Sequence, residues 1–256
     1  MWFEEQRFKK HWNDYIINTE KCKDYWIYPE IISLLHNLRR FIFILGPSPN
    51  SFYKIKKICN TYGLKMITVD DKFVIYKSDE DTSEFIEIFQ SGKDDIKIGI
   101  LLGYPKCCYK FYHKYFSKGI EVNPITTYKN SKKPFSFYLN NTQKLTSVIS
   151  HFPCNYNCKK SIELSKKILS IIKELNGNEI YKELIDLLKN KSVFCKGLYF
   201  TFKEFNVPYP VNNDIAKCFG INNASKMSIN ENYIKSILPD GKIKIAKENF
   251  LLFDFE

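Results

Sequence analysis

The sequence predicts an α+β protein in three parts: an N-terminal α/β module over residues 1–92, a helical cysteine-bearing region over 93–192, and a β segment over 193–256. Three observations predict it. Short β-branched and aromatic runs alternate with helical spacing before Gly92, helical periodicity dominates from Asp94 to Lys191, and extended patterns return after Ser192.

The first forty residues read as helix, in two pieces broken near Pro29, with Ile31, Ile32, Leu34, Leu35 and Leu38 as packing stripe. Phe41–Leu45 has the length and content of a buried strand. Gly46-Pro47-Ser48-Pro49 ends it, and Asn50 or Ser51 is placed to cap the next helix, whose apolar face is Phe52, Ile55, Ile58, Cys59 and Tyr62. Gly63 stops that helix, and Lys65–Val69 and Lys72–Tyr76 follow as a hairpin around Asp70-Asp71. Asp81 or Thr82 then caps a helix through Phe89, and Gly92 closes the module. Neither the dinucleotide fingerprint nor a lysine-containing phosphate loop is present in it.

In the middle region the expected helices are Ile96–Leu102, Pro105–Phe116, Phe135–Ile149, Cys158–Leu175 and Glu179–Leu188, with a long loop over Ser117–Pro134. Beyond it, Val193–Phe202, Lys242–Ala246 and Phe250–Phe255 read as extended, and Glu231–Leu238 as a short helix.

Composition bounds the function. Hydrophobic residues make up 44% of 256, enough for a packed core and unlike a disordered chain. The longest apolar runs, Phe41–Leu45 and Ile98–Leu102, are too short to cross a bilayer, so no membrane role is expected. Met1 to Lys10 contain no apolar stretch to serve as a secretion signal, which makes the cytoplasm the expected location. The net charge of +11 comes almost wholly from lysine, with Arg7, Arg39 and Arg40 the only arginines. Lysines occur along the whole chain and accompany abundant Asn, Ile, Tyr and Phe, the pattern of a coding bias. Nucleic acid is therefore a possible but not a favoured partner, and any other partner is unknown.

Eight cysteines are too few for a disulfide scaffold, and clustered cysteines in a reducing compartment point to metal binding or thiol chemistry. Two segments concentrate them. In Gly103-Tyr104-Pro105-Lys106-Cys107-Cys108, the glycine ends one helix and the proline suits the first position of the next. In His151-Phe152-Pro153-Cys154-Asn155-Tyr156-Asn157-Cys158, Asn155 or Asn157 is placed to cap a long helix. Both pairs then sit at helix N-termini, where unpaired amides favour a thiolate. Cys108 continues into Phe111, Tyr112, Tyr115 and Phe116, and Cys158 into Ile162, Ser165, Ile168, Leu169, Ile172 and Leu175. If these stripes pack on each other, four sulfurs meet.

Such a set can hold a metal or work as thiols. A tetrahedral zinc site suits Cys154 and Cys158, whereas adjacent cysteines on a helix diverge by about 100°. An iron–sulfur cluster accepts wider ligands and is preferred on that ground. A bridge between Cys107 and Cys108 would strain a helical first turn and ranks last. His151 and Tyr104 are the candidates for acid/base or supporting roles beside the sulfurs; a histidine bonded to a backbone carbonyl and a packed tyrosine are the plainer readings. His113 reads as a surface group; Ser161, three residues after Cys158, is placed either to bond back into the site or, as the plainer reading, to lie on the helix surface; Cys59 and Cys195 read as structural.

The two quoted segments, with Ser161, resemble the signature of a largely archaeal family filed as domain of unknown function four-eight-three, over about Leu102–Leu169. The resemblance implies an archaeal cytoplasmic protein and brings no activity with it. The ligand pattern alone is also similar to sets in some iron–sulfur enzymes of sulfur and nucleoside metabolism. The expectation is a cytoplasmic metalloprotein with Cys107, Cys108, Cys154 and Cys158 as ligands, an iron–sulfur cluster as cofactor, and redox or sulfur-transfer chemistry. The rivals are a zinc-stabilised nucleic-acid-binding module and a metal-free thiol enzyme.

Overall fold

The computed structural model describes residues 27–45, 49–69, 72–92, 94–119, 122–141, 147–195, 198–203, 207–208, 226–229, 234–237, 243–246 and 251–256. The architecture is α+β, as the sequence predicts.

Helix α1 is Ile27–Leu35, and Pro29 lies inside its first turn. A proline there removes only an amide that has no helical partner, so α1 runs through it; the expected earlier helical piece, before Ile27, lies outside the described residues. Strand β1 (Phe41–Leu45), helix α2 (Pro49–Tyr62), strands β2 (Lys65–Val69) and β3 (Lys72–Tyr76) and helix α3 (Thr82–Ser91) follow in the predicted order. The strands form an antiparallel sheet in the order β1-β3-β2, with Ile42 opposite Ile75 and Ile67 opposite Val74. The turn residues Asp70 and Asp71 lie outside the described residues.

Two capping expectations fail. Asn50 and Ser51 lie within α2, which begins at Pro49. Asp81 precedes α3 in a left-handed conformation without a side-chain cap bond, because its carboxylate pairs with Arg40 instead.

Helix α4 (Asp95–Leu101) and helix α5 (Lys106–Phe116) come next. Two glycines set their approach. Gly103 takes φ 71°, a left-handed turn out of α4, and a Cβ there would lie 3.1 Å from the Leu38 carbonyl oxygen. A Cβ on Gly99 would drive into the Cβ of Tyr109, so α4 and α5 close together only because that position is bare. Pro105 is the N-cap of α5 rather than its first residue.

The segment 117–157 departs furthest from expectation. A helix α6 (Pro124–Lys129) occupies the predicted long loop, capped by Asn123, whose side chain accepts from the amides of Ile125 and Thr126. The predicted helix Phe135–Ile149 is a single 3₁₀ turn, Phe137–Leu139, in otherwise irregular chain, with residues 142–146 outside the described set. Phe135 instead forms a parallel bridge with Phe255, and Glu256 exchanges backbone bonds with Phe135 and Phe137.

Helices α7 (Lys159–Asn176) and α8 (Asn178–Leu188) are the two helices the periodicity predicts, and they pack on each other. Ile168, Leu169 and Ile172 of α7 pack with Leu184 and Leu188 of α8, Val148, and Ile32 of α1. The C-terminal part holds strands β4 (Lys191–Cys195), β5 (Leu198–Lys203), β6 (Val207–Pro208), β7 (Lys226–Ile229), β8 (Ile234–Ile237), β9 (Ile243–Ala246) and β10 (Leu251–Phe253). They make sheets of order β10-β4-β5-β6 and β7-β8-β9. The predicted helix around Glu231–Leu238 is thus strand β8, the middle strand of its sheet, and Val193–Phe202 is a hairpin of two strands. No helix among the described residues is long and apolar enough to cross a membrane.

Candidate metal centre

Cys107 and Cys108 are the second and third residues of α5, and Cys158 is the N-cap of α7. Two helix N-termini therefore converge on the same sulfurs, each bringing the positive end of a backbone dipole. The sulfurs of Cys107 and Cys158 are 3.4 Å apart, those of Cys108 and Cys158 3.7 Å, and those of Cys107 and Cys108 3.9 Å. All four sulfurs, Cys154 included, lie within 4.8 Å of one another, a set that can hold a metal ion. The adjacent pair converges to 3.9 Å despite the divergence of neighbouring positions around the helix.

Cys154 lies outside α7, on a loop that the mispredicted segment holds in place. Thr127 donates to the Pro153 carbonyl (3.0 Å), Asn130 to the Cys154 carbonyl (2.5 Å), and the Tyr156 amide to Ser131 (2.8 Å). The Asn157 side chain donates to the carbonyls of Lys132 (2.7 Å) and Pro134 (2.9 Å). Asn155, expected as a helix cap, instead accepts from the Asn157 amide at 2.9 Å, a local Asx turn that orients the loop. Beneath it, Tyr156 is fully buried against Phe135, Phe253 and Phe255.

Cys108 and Cys158 are buried, Cys154 is half-buried and Cys107 is exposed, so the site is open at one edge. The sulfur of Cys108 accepts from the Cys154 amide at 3.4 Å and contacts the Ser161 hydroxyl at 3.2 Å. Sulfurs this close cannot all carry charge without a cation between them. Bonds from the Cys108 and Cys154 thiols hold Cys158 below the usual thiol range. Bonds to Cys154 and Cys158, with burial, hold Cys108 above it.

Ser161 is fully buried, not on the helix surface of its plainer reading, and sits one turn into α7 on the Cys158 face. Its hydroxyl meets Nε2 of His151 at 2.9 Å, which extends the contact from Cys108 through Ser161 to His151. His151 is therefore bonded to a side chain and not to a backbone carbonyl. Burial first, then the nearby Arg39, push its pKa down to about 3, against the pull of Cys158. Its ring lies 5.0 Å from that of Tyr104, over which the Arg39 guanidinium sits at 5.1 Å.

Arg39 is ion-paired with Glu30 in the interior and donates to Ser150 at 2.5 Å. Nδ1 of His151, Nε and Nη2 of Arg39 and Oε1 of Glu30 are buried without a protein partner among the described residues. That mixture of donors and acceptors suits bound water. His113 is on the surface, as predicted, 3.3 Å from Asp95. Phe116 is half-exposed and does not continue the buried face of α5, which ends with Phe111.

The sequence singled out the four cysteines, His151 and Tyr104. Of the two readings of Ser161 that its three-residue spacing from Cys158 allows, the bond back into the site holds and the surface position does not. Asn130, Arg39 and Glu30 gave no local signal, because only the tertiary fold brings them near.

No curated protein and no solved structure matches the chain. Residues 70–190, a stretch that extends past the resembling segment on both sides and includes α5, α6, α7 and all four cysteines, match the model of the family described as Protein of unknown function (DUF483).

Proposed function

We propose that the protein is a metalloprotein holding a single tetrahedral ion, zinc, on Cys107, Cys108, Cys154 and Cys158. One observation supports this reading above the others: the mutual spacing of the sulfurs. Four thiolates at about 2.3 Å from one ion stand about 3.8 Å from each other at the corners of a tetrahedron. The close sulfur pairs here are 3.4 to 3.9 Å apart. A multi-iron cluster places iron and sulfide between its ligands and calls for wider separations.

The supporting groups fit a bound thiolate. Cys108 as a metal ligand accepts from the Ser161 hydroxyl, which in turn accepts from Nε2–H of His151, leaving Nδ1 as an acceptor. On this reading Ser161 and His151 are positioning residues, and Tyr104 packs on the imidazole and fixes its plane. The ion ties the start of α5 to the start of α7 and so stabilises residues 93–192 as a unit.

An iron–sulfur centre with redox or sulfur-transfer chemistry is the second reading, favoured by the exposed edge at Cys107. Protein purified without oxygen and subjected to metal analysis separates the two. The expected result is colourless protein with about one zinc per chain, and cobalt exchange giving the intense thiolate-to-metal band of a four-sulfur tetrahedral site. Brown protein with iron and acid-labile sulfide establishes the cluster instead. Metal-free protein with one fast-alkylating cysteine establishes a thiol site.

A further inference from the structure

The four sulfurs of the metal centre are unequal in two respects. The first is access. Cys107 is exposed, whereas Cys108 and Cys158 are buried and Cys154 is half-buried. A small solute arriving from water meets the Cys107 side chain first.

The second is the company each sulfur keeps. Cys108 accepts from the Cys154 amide at 3.4 Å and meets the Ser161 hydroxyl at 3.2 Å. Cys154 accepts from the Asn155 side chain at 3.5 Å. Such bonds stabilise charge on a thiolate and so lower its nucleophilicity. The polar neighbours of the Cys107 sulfur among the described residues are themselves sulfurs, Cys158 at 3.4 Å and Cys108 at 3.9 Å. A bound zinc ion keeps all four groups as thiolates at neutral pH. The centre then presents one accessible, undamped thiolate with a second in van der Waals contact. Peroxide-sensitive cysteines share this arrangement of an accessible thiolate beside a resolving one.

Geometry also selects the resolving partner. Disulfide sulfurs stand at about 2.05 Å, so Cys107 and Cys158 need to close by little more than about 1 Å. A bond from Cys107 to Cys108 would join adjacent residues in the first turn of α5, a strained ring. Cys154, within 4.8 Å, is the remaining rival.

We propose that the centre is a modification site for hydroperoxides, in which Cys107 is oxidised, Cys158 captures it as a disulfide, and the ion leaves. This rests on the zinc reading above. The Cys107 thiolate attacks one oxygen of hydrogen peroxide; an S–O bond forms, the O–O bond breaks and hydroxide departs. Cys107 is now a sulfenic acid, oxidised by two electrons. The Cys158 thiolate attacks that sulfur; the S–S bond forms, the S–O bond breaks and a second hydroxide departs. Two protons from solvent turn both hydroxides into water, so one peroxide is reduced for each disulfide made. Cys108 and Cys154 remain as two ligands, too few for a closed tetrahedral site. The new bond still ties the start of α5 to the start of α7, so the fold persists, and a dithiol reductant reverses the change.

The test uses the full zinc-loaded chain, handled without oxygen, with about one to ten equivalents of hydrogen peroxide and a zinc-responsive dye. Released zinc is expected to rise to about one ion per chain in step with one disulfide, which mass spectrometry maps to Cys107–Cys158. Cys59, buried in the N-terminal core, stays a free thiol. Dithiothreitol with fresh zinc must restore the bound ion. Without peroxide, limited iodoacetamide must modify Cys107 ahead of the other three ligands. A disulfide between a different pair of the four, earlier alkylation of another ligand, or zinc retained under peroxide each overturns the proposal and leaves the zinc reading standing. Zinc content before peroxide tests that reading by itself, and a chain that holds none overturns both.

Discussion

Cys59 and Cys108 are almost equally buried, at 2% and 1% exposure, yet they occupy opposite environments. Cys59 lies in the core of the N-terminal module among Ile31, Leu34, Ile42, Ile44, Ile55, Leu64 and Ile75. Burial there pushes its thiol up to about 11, and it acts as a small hydrophobe. Cys108 lies in the aromatic core of Phe135, Tyr156, Phe253 and Phe255, but its sulfur faces other sulfurs, a backbone amide and a buried hydroxyl. Burial alone does not distinguish a structural cysteine from a ligand. The difference lies in whether the interior offers the sulfur polar partners.

The sharpest way to break this comparison is substitution at each position. Cys108→Ser and Cys158→Ser are expected to lower metal content from about one ion per chain to less than about a tenth, whereas Cys59→Ser leaves it at one and costs only fold stability. Metal analysis of the purified variants checks this, and equal retention by all three would dissolve the distinction. Ser161→Ala removes the hydroxyl from Cys108 and spares every ligand. Its expected effect is an affinity for zinc weaker by about 10- to 100-fold, read by competition with a chelating dye.

The smallest expected effect concerns pH. His151 titrates at about 3 when folded and 6.5 as a free side chain. The unfolded chain therefore takes up a proton first as pH falls, and the folded state loses stability below pH 6.5. Between pH 7.5 and 5 the loss amounts to about 2 kcal/mol. His151→Gln should flatten this part of the stability–pH curve in urea titrations. An unchanged slope would mean that His151 is not the buried neutral group described here.

The N-terminal module and the ligand cysteines were legible because their signals are local. Strand composition marked β1, β2 and β3, and the proline and cysteine spacing marked the starts of α5 and α7. The segment 117–157 was not legible, because its order comes from distant partners. The expected helix Phe135–Ile149 overlooked that Phe135, Phe137 and Leu139 recur every second residue, a strand-like spacing, and the first two bond to residues near 255 across the fold. Strand β8 was misread for the same reason: Ile234 and Ile237 fit a helix face until β7 and β9 supply their hydrogen bonds. Ser161 shows the limit from the other side. Its spacing was visible, but nothing local shows that its turn of α7 would be fully covered.

The pairing of Phe135 with Phe255 also sets an order of events during synthesis. A nascent chain that has emerged through residue 190 already has every sulfur ligand and both helix starts, but lacks the aromatic wall of Phe253 and Phe255. Until that wall arrives, the loop bearing Cys154 rests on an unfinished floor and the thiols stay accessible to solvent and oxidants. Early ion capture would shield them during that interval, so metal supply in the cell would govern how much of the newly made chain survives to be closed.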